Sequence, residues 1–225
     1  MDEYITIALP KGKLFKKSVD MLAKVGYSAE NVVEDSRKLV ISNDETKVRF
    51  IIAKTVDVPT YVEYGAADIG IIGKDVLNEQ DKDVVELLDL NFGRCRLMMA
   101  VPEATRRPNL KDYAHTRAAT KYPNCAKRYF DKVGIQVELV KLNGSIELGP
   151  IVGLSESIVD IVETGTTLRE NKLVEIDSLF TATARLIANR ASFKLKFERL
   201  HKLVKDLRIV VAEAAAEKAK KEANK

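Results

Sequence analysis

Apolar positions along the 225-residue chain follow two spacings. Short runs rich in β-branched residues occur at 5–9, 39–42, 48–53, 68–72, 84–88, 94–101, 117–120, 137–141 and 158–163, and these read as strands. Nine strands exceed what one small sheet holds. Segments with helical spacing lie between them, which predicts an α/β fold with largely parallel sheets. In the segment 14–25, Leu14, Val19, Leu22 and Val25 share a face, and Gly26 ends the run. A second helix starts at Asp57, expected as its N-cap with Pro59 in the first turn, and stops at Gly65. A third covers 123–133 before Gly134. From Phe193 onward, Phe197, Leu200, Val204, Leu207 and Val211 recur every three or four residues, which predicts one continuous amphipathic helix that frays in its Ala/Lys-rich end. Between 101 and 117 the chain turns polar, with Pro102 and Pro108, as suits a surface connection between two lobes.

Composition narrows the function classes. The chain is 46% hydrophobic and 31% charged, so a packed core is expected. No apolar run reaches the ~18 residues of a membrane span, and Asp2 and Glu3 lead directly into a strand-like segment rather than a signal peptide. Cys95 and Cys125 form no metal or disulfide spacing, which predicts an intracellular, cytoplasmic protein. With His115 and His201 as its only histidines, the chain has little material for a zinc site or a Ser/His/Asp triad, and any metal is expected to be Mg²⁺ on oxygen ligands. The net charge is +4, but residues 194–225 hold ten Lys/Arg against five Asp/Glu, leaving 27 against 28 elsewhere. That pattern suits a solvated helix face, and no nucleic-acid partner is expected.

The segment with most chemical content runs from Ile158 to Arg169, a buried-strand pattern entering Glu163-Thr164-Gly165-Thr166-Thr167 and then a helix start. Gly165 lets backbone N–H groups approach an anion, and Thr164, Thr166 and Thr167 add hydroxyl donors. Asp160 and Glu163 would repel a phosphate, unless the ligand also offers sugar hydroxyls or carries Mg²⁺, as a phosphoribose can. The same residues also suit an ordinary turn with a threonine cap. Residues 65–75 place Asp68, Gly70 and Gly73 around a short buried strand, either as a nucleotide-facing turn or as a tight connection. Lys11-Gly12-Lys13 follow the first strand, where open α/β sheets bind ligands, and Arg37 with Lys38 forms a second basic cluster.

With these residues in view, the chain to about Leu207 resembles the ATP phosphoribosyltransferase family. The family signature is matched by Glu147, Gly153, Ser155, Ile158, Asp160, Thr164, Gly165, Thr167 and Leu168. Further similar strings are LPKG, SRKL, DVPTYVEYGAADIGIIGKDVL, GRCRLM, ATKYPN and TARLIANRASFK. The resemblance implies two α/β lobes like those of type II periplasmic binding proteins, with the active site in the interlobe cleft. Lobe I would comprise 1–93 and 177–225, and lobe II 94–176. There is no room for the regulatory domain of longer members, so the chain looks like the short form, a homodimer within a hetero-oligomer that includes a histidyl-tRNA-synthetase-like regulatory subunit.

The family's reaction joins N1 of ATP's adenine to C1 of 5-phosphoribosyl 1-pyrophosphate and releases pyrophosphate, with Mg²⁺ carried by the substrates rather than by a protein cage. The resemblance assigns Lys11, Lys13 and Arg37 to the leaving pyrophosphate. It assigns Glu147, Asp160, Glu163, Thr164, Gly165, Thr166 and Thr167 to the phosphoribosyl group, and Gly12, Asp68, Gly70 and Gly73 to the ATP side. Relatives often carry Arg where Lys13 stands, and lysine lacks the planar fork of arginine. Two other readings share the architecture. One is a porphobilinogen deaminase-like enzyme, which needs a cofactor-bearing cysteine; the other is a non-catalytic anion- or solute-binding protein.

Overall fold

The computed structural model describes residues 4–28, 32–34 and 38–223. In chain order the elements are β1 (Ile5–Pro10), α1 (Phe15–Lys24), β2 (Val40–Asn43), β3 (Val48–Ala53), α2 (Val58–Glu63), β4 (Ile69–Gly73), α3 (Lys74–Gln80), β5 (Val85–Asp89) and β6 (Cys95–Pro102). They continue with β7 (Arg117–Thr120), α4 (Pro123–Val133), β8 (Glu138–Lys141), α5 (Leu148–Ile151), β9 (Ser157–Val162), α6 (Thr166–Glu170), β10 (Leu173–Ala182), β11 (Ala184–Ala188), α7 (Arg190–Leu195) and α8 (Phe197–Ala223). The chain divides into two compact units. Unit 1 is Met1–Leu77, Asp81–Gly93 and Thr183–Lys225; unit 2 is Asn78–Gln80 and Arg94–Ala182.

Unit 1 is built on a six-stranded sheet of order β2-β3-β1-β4-β11-β5. Its central strand β1 is buried along its whole length. Because side chains alternate across a strand, Ile5, Ile7 and Leu9 pack with Leu22 of α1 and Leu200, Leu203 and Leu207 of α8, whereas Ala8 faces Val58 and Val62 of α2. A strand covered on both faces must be apolar throughout, and β1 is.

Unit 2 holds a five-stranded sheet of order β10-β6-β9-β7-β8. Leu97, Met99 and Val101 of β6 share one core with Cys125, Ala126 and Phe130 of α4. Met98 and Ala100, on the opposite face, pack with Ile158, Val162, Leu168 and Leu173.

The structure corrects several sequence-based expectations. The sheets are mixed, not largely parallel: β1 runs parallel to β3 and β4, and β7 to β8 and β9, while the other five pairings among the described residues are antiparallel. Two strands, β10 and β11, were not anticipated. Asp57 makes no side-chain cap; a 3-10 turn over Thr55–Asp57 precedes α2, leaving Asp57 already in helical backbone. The helix expected from Phe193 is two helices broken at Lys196, with φ −114° and ψ 28°. The break lets the Lys196 ammonium reach the carbonyl of Tyr4 at 2.6 Å and Asp68 Oδ2 at 2.7 Å, so a buried carboxylate acquires its counter-ion. The Ala/Lys-rich end stays helical to Ala223, in keeping with the helix propensity of Ala, Lys and Glu. No helix among the described residues is long and apolar enough to cross a membrane.

Candidate functional site

In unit 2, the parallel strands β7 and β9 point their C-terminal ends toward the same edge of the sheet, with Thr120 beside Val159. Thr120 joins the two ends: its hydroxyl donates to Val159 O at 2.6 Å and accepts from Tyr122 N at 2.8 Å. Beyond β9 the chain enters the hydroxyl-rich turn. Gly165 adopts φ +74° and ψ 7°, a left-handed conformation in which L side chains are strained, and it precedes the first residue of α6. This positive φ reverses the chain abruptly and leaves Thr164, Thr166 and Thr167 exposed. Thr164 Oγ1 and Thr166 Oγ1 lie 3.2 Å apart.

Three of these features were expected from sequence: a strand end, a glycine turn and hydroxyl donors. The cation over them was not. Arg169, one turn into α6, bends back so that Nη1 donates to Thr164 O at 3.2 Å and Nη2 to Thr166 Oγ1 at 3.1 Å. On another side of Gly165 lies Glu175, held by Arg96 through two hydrogen bonds. The sequence signal for Arg169 was faint, a basic residue three positions after a loop hydroxyl. For Arg96 and Glu175 there was none, since 79 residues separate them.

Two carboxylates accompany the loop. Burial first, and then the charge of Glu147, lift the Asp160 carboxyl from its ordinary value of 3.8 to about 6. The N–H of Ile161 and the ammonium of Lys121 pull the other way. Glu147 therefore lies within electrostatic reach of Asp160, at the turn leading into α5. Two carboxylates this close are best satisfied by hydroxyl donors or by a cation carried on a ligand. Among the described residues, no group of three or more His, Cys, Asp or Glu could hold a metal ion. Glu163 is exposed beside the loop.

In unit 1, the remaining expected residues occupy several surroundings. Lys11 and Gly12 are exposed at the end of β1. Lys11 N donates to Ala53 O at 2.9 Å, and Gly12, at φ +92°, donates its N–H to Glu34. Lys13 lines a groove between α1 and α8 together with Lys218 and Lys221. Asp68 is buried and accepts from Thr6 N at 2.8 Å as well as from Lys196. A Cβ at Gly70 would stand 2.9 Å from methyl groups of both Val58 and Val62, so its bareness serves the packing of α2 on β4. Gly73 has Asp75 against the position a Cβ would take. Arg37 lies outside the described residues.

Known proteins place this arrangement in context. The family model described as HisG: ATP phosphoribosyltransferase matches residues 54–209, more than half of the chain. An ATP phosphoribosyltransferase of Syntrophotalea carbinolica is 53% identical over 216 residues, covering 96% of this chain and 99% of the relative. One of Citrifermentans bemidjiense is 53% identical over 208 residues, covering 92% and 98%. Among solved structures, the ATP phosphoribosyl transferase (HisG:HisZ) complex from Thermotoga maritima superposes with a TM-score of 0.78 at 33% identity, covering 93% of this chain and 99% of that one. The substrate-binding protein of an amino acid ABC transporter gives a TM-score of 0.59 at 13% identity, covering 95% and 94%, and this likeness concerns the two-unit α/β fold alone. The chain belongs to the ATP phosphoribosyltransferase family.

Proposed function

We infer that the protein transfers the phosphoribosyl group of 5-phosphoribosyl 1-pyrophosphate to N1 of the adenine of ATP, releasing pyrophosphate, the first step of histidine biosynthesis. The observation that carries this reading is the grouping, within one unit, of the Thr164–Thr167 turn around a left-handed Gly165 with the Glu147 and Asp160 carboxylates. A 5-phosphate needs converging N–H and O–H donors; ribose hydroxyls need acceptors beside them. In this assignment Thr164, Gly165, Thr166 and Thr167 seat the phosphate while Glu147 and Asp160 accept from the sugar, with Glu163 flanking the loop.

The chemistry asks for electrostatics rather than a strong base. Adenine N1 already offers a lone pair, whereas the ribose becomes oxocarbenium-like and charge builds on the departing pyrophosphate. Lys11, Lys13 and Arg37 are assigned to that leaving group by the family resemblance. Asp68, Gly70 and Gly73, with Gly12, remain the proposed ATP side; the Asp68 carboxylate is held by Thr6 N and Lys196, and Gly70 serves the packing of α2 on β4. The family generally needs a divalent metal, and we assign Mg²⁺. Carried by the substrates, it would supply positive charge against the departing pyrophosphate. Glu147 and Asp160 are the carboxylates suited to approach such an ion, since their mutual repulsion favours a cation.

A cytoplasmic enzyme working as a homodimer with a histidyl-tRNA-synthetase-like regulatory subunit completes the proposal. A porphobilinogen deaminase-like role is disfavoured because Cys95 and Cys125 are both buried, and burial pushes the Cys125 thiol up to about 12. The test is to incubate the purified protein with ATP, 5-phosphoribosyl 1-pyrophosphate and Mg²⁺, then follow the adenine-modified product by chromatography. Product formation that rises on adding the regulatory subunit is expected. Its absence under both conditions overturns the reading.

A further inference from the structure

The threonine loop sits among negative charge: Glu163 precedes it, Glu170 ends the short helix after it, and Glu175 lies within 3.5 Å of where a Gly165 side chain would begin. Asp160 is four residues upstream. A seat for a dianionic phosphate in these surroundings needs a compensating cation and hydroxyl protons aimed outward. Arg96 is already engaged with Glu175 through both terminal nitrogens. Among the described residues, Arg169 is a cation whose guanidinium is bonded to the loop itself, at Thr164 O and Thr166 Oγ1.

We propose that Arg169 is a positioning residue for the 5-phosphate of the phosphoribosyl donor, acting through Thr166 and the backbone of Thr164. The inference rests on the reading of this loop as the phosphate seat. Its mechanism follows from hydroxyl arithmetic. Thr166 has one O–H proton and two lone pairs. Arg169 fills one lone pair, and when Thr164 Oγ1 donates across the 3.2 Å gap it fills the second. The Thr166 proton then has to point away from both, toward a ligand. The positive charge one bond from the acceptor oxygen makes that proton a stronger donor. The second guanidinium bond, to Thr164 O, fixes the carbonyl at the point where the chain enters the left-handed glycine, so the N–H groups that follow keep their direction. A lysine could restore the charge but cannot span both acceptors with a rigid fork.

The experiment compares wild type, Arg169→Ala, Arg169→Lys and Gly165→Val in the complete enzyme, by steady-state kinetics with each substrate varied and by calorimetric titration with ribose 5-phosphate. Arg169→Ala is expected to raise KM for 5-phosphoribosyl 1-pyrophosphate by about tenfold to a hundredfold, the usual effect of losing a charged hydrogen-bond partner. KM for ATP, kcat at saturation and the melting temperature should stay within about twofold or a few degrees of wild type. Arg169→Lys should fall between. Ribose 5-phosphate binding should weaken in parallel. A wild-type KM for the donor in Arg169→Ala, while Gly165→Val abolishes ribose 5-phosphate binding, overturns the role of Arg169 and leaves the loop assignment standing. Normal ribose 5-phosphate binding in Gly165→Val overturns the loop assignment itself. An equal loss for both substrates together with a lowered melting temperature marks Arg169 as structural and also overturns the proposal.

Discussion

Arg96 and Glu175 meet as a two-point fork, Nη1 to Oε2 at 2.8 Å and Nη2 to Oε1 at 2.9 Å. The same Oε1 lies 3.5 Å from the position of a Cβ on Gly165. A pairing between strands β6 and β10 thus braces the turn in which the hydroxyls proposed to seat the phosphate are displayed. Both side chains are about one-third exposed, so solvent screens the pair and its worth lies in geometry more than in stability.

Gly165→Val therefore tests conformation more than space. The neighbours of an added Cβ stand at 3.4 Å or beyond, but φ is +74°, where a β-branched residue costs on the order of 1–3 kcal/mol. The turn is expected to abandon the left-handed conformation. Calorimetric titration should show binding of 5-phosphoribosyl 1-pyrophosphate lost, while the melting temperature falls by only a few degrees. Gly165→Asn, which tolerates the left-handed region, should retain measurable affinity. Equal affinities for Val, Asn and wild type would remove the conformational argument.

How far the sequence announced this architecture depended on range. Helix α4 matches its expected span because both signals are local: Pro123 at the start and Gly134 in left-handed backbone, φ +71°, at the end. The threonine turn was legible for the same reason. Strand β10 was not, because register shifts between Glu175 and Asp177 and between Ser178 and Phe180 disrupt the two-residue alternation that marks a strand. The break at Lys196 was hidden by an unbroken helical spacing, since its cause is a buried carboxylate 128 residues away. Strand direction was equally invisible: whether β9 lies antiparallel to β6 is settled by chain routing and not by the apolarity of either run.

Lys196 and Asp68 offer a stability prediction. Asp68 is only 5% exposed, and Lys196 is its charged partner at 2.7 Å, with Thr6 N as a second donor. Lys196→Met strands that carboxylate and should cost about 3 kcal/mol, readable as a lower urea midpoint. Asp68→Asn in the same background should recover part of the loss by removing the orphaned charge. A Lys196→Met midpoint equal to wild type would show that the ammonium is dispensable.

Cys125 yields a reactivity prediction. Burial, and then the adjacent Glu79 carboxylate, push its thiol up to about 12. Glu79 also accepts from Asn124 N at 3.0 Å and Cys125 N at 2.9 Å at the start of α4. Native protein at pH 8 should leave Cys125 unmodified by a thiol reagent for far longer than the denatured chain. Glu79→Ala should speed labelling and cost about 1 kcal/mol through loss of the helix-start acceptor. Immediate labelling of native Cys125, resolved from Cys95 by peptide mapping, would contradict this.

The proposed use of Asp160 on the sugar sets binding against stability, and pH separates the two. In the unfolded chain its carboxyl ionises near its ordinary 3.8, whereas in the folded chain it does so near 6. Between those values the native state holds the proton more tightly, so rising pH through that window removes stability, and above about pH 6.5 nothing further is lost. A shift of about two pK units corresponds to a penalty on the order of 3 kcal/mol once both states are ionised. Asp160→Asn carries no such charge. Its stability advantage over wild type should widen by roughly 1 kcal/mol from pH 5 to pH 7 and stay level from pH 7 to pH 8.5, measured by urea unfolding at each pH. In the proposed site the same change replaces the acceptor for ribose hydroxyls with an amide, so affinity for 5-phosphoribosyl 1-pyrophosphate should fall while the protein becomes harder to unfold. A variant less stable than wild type at pH 8 would mean that Asp160 is held in the native state by its partners and not merely tolerated there. The carboxylate would then be a structural element, with no burial penalty left to explain by its use on a sugar.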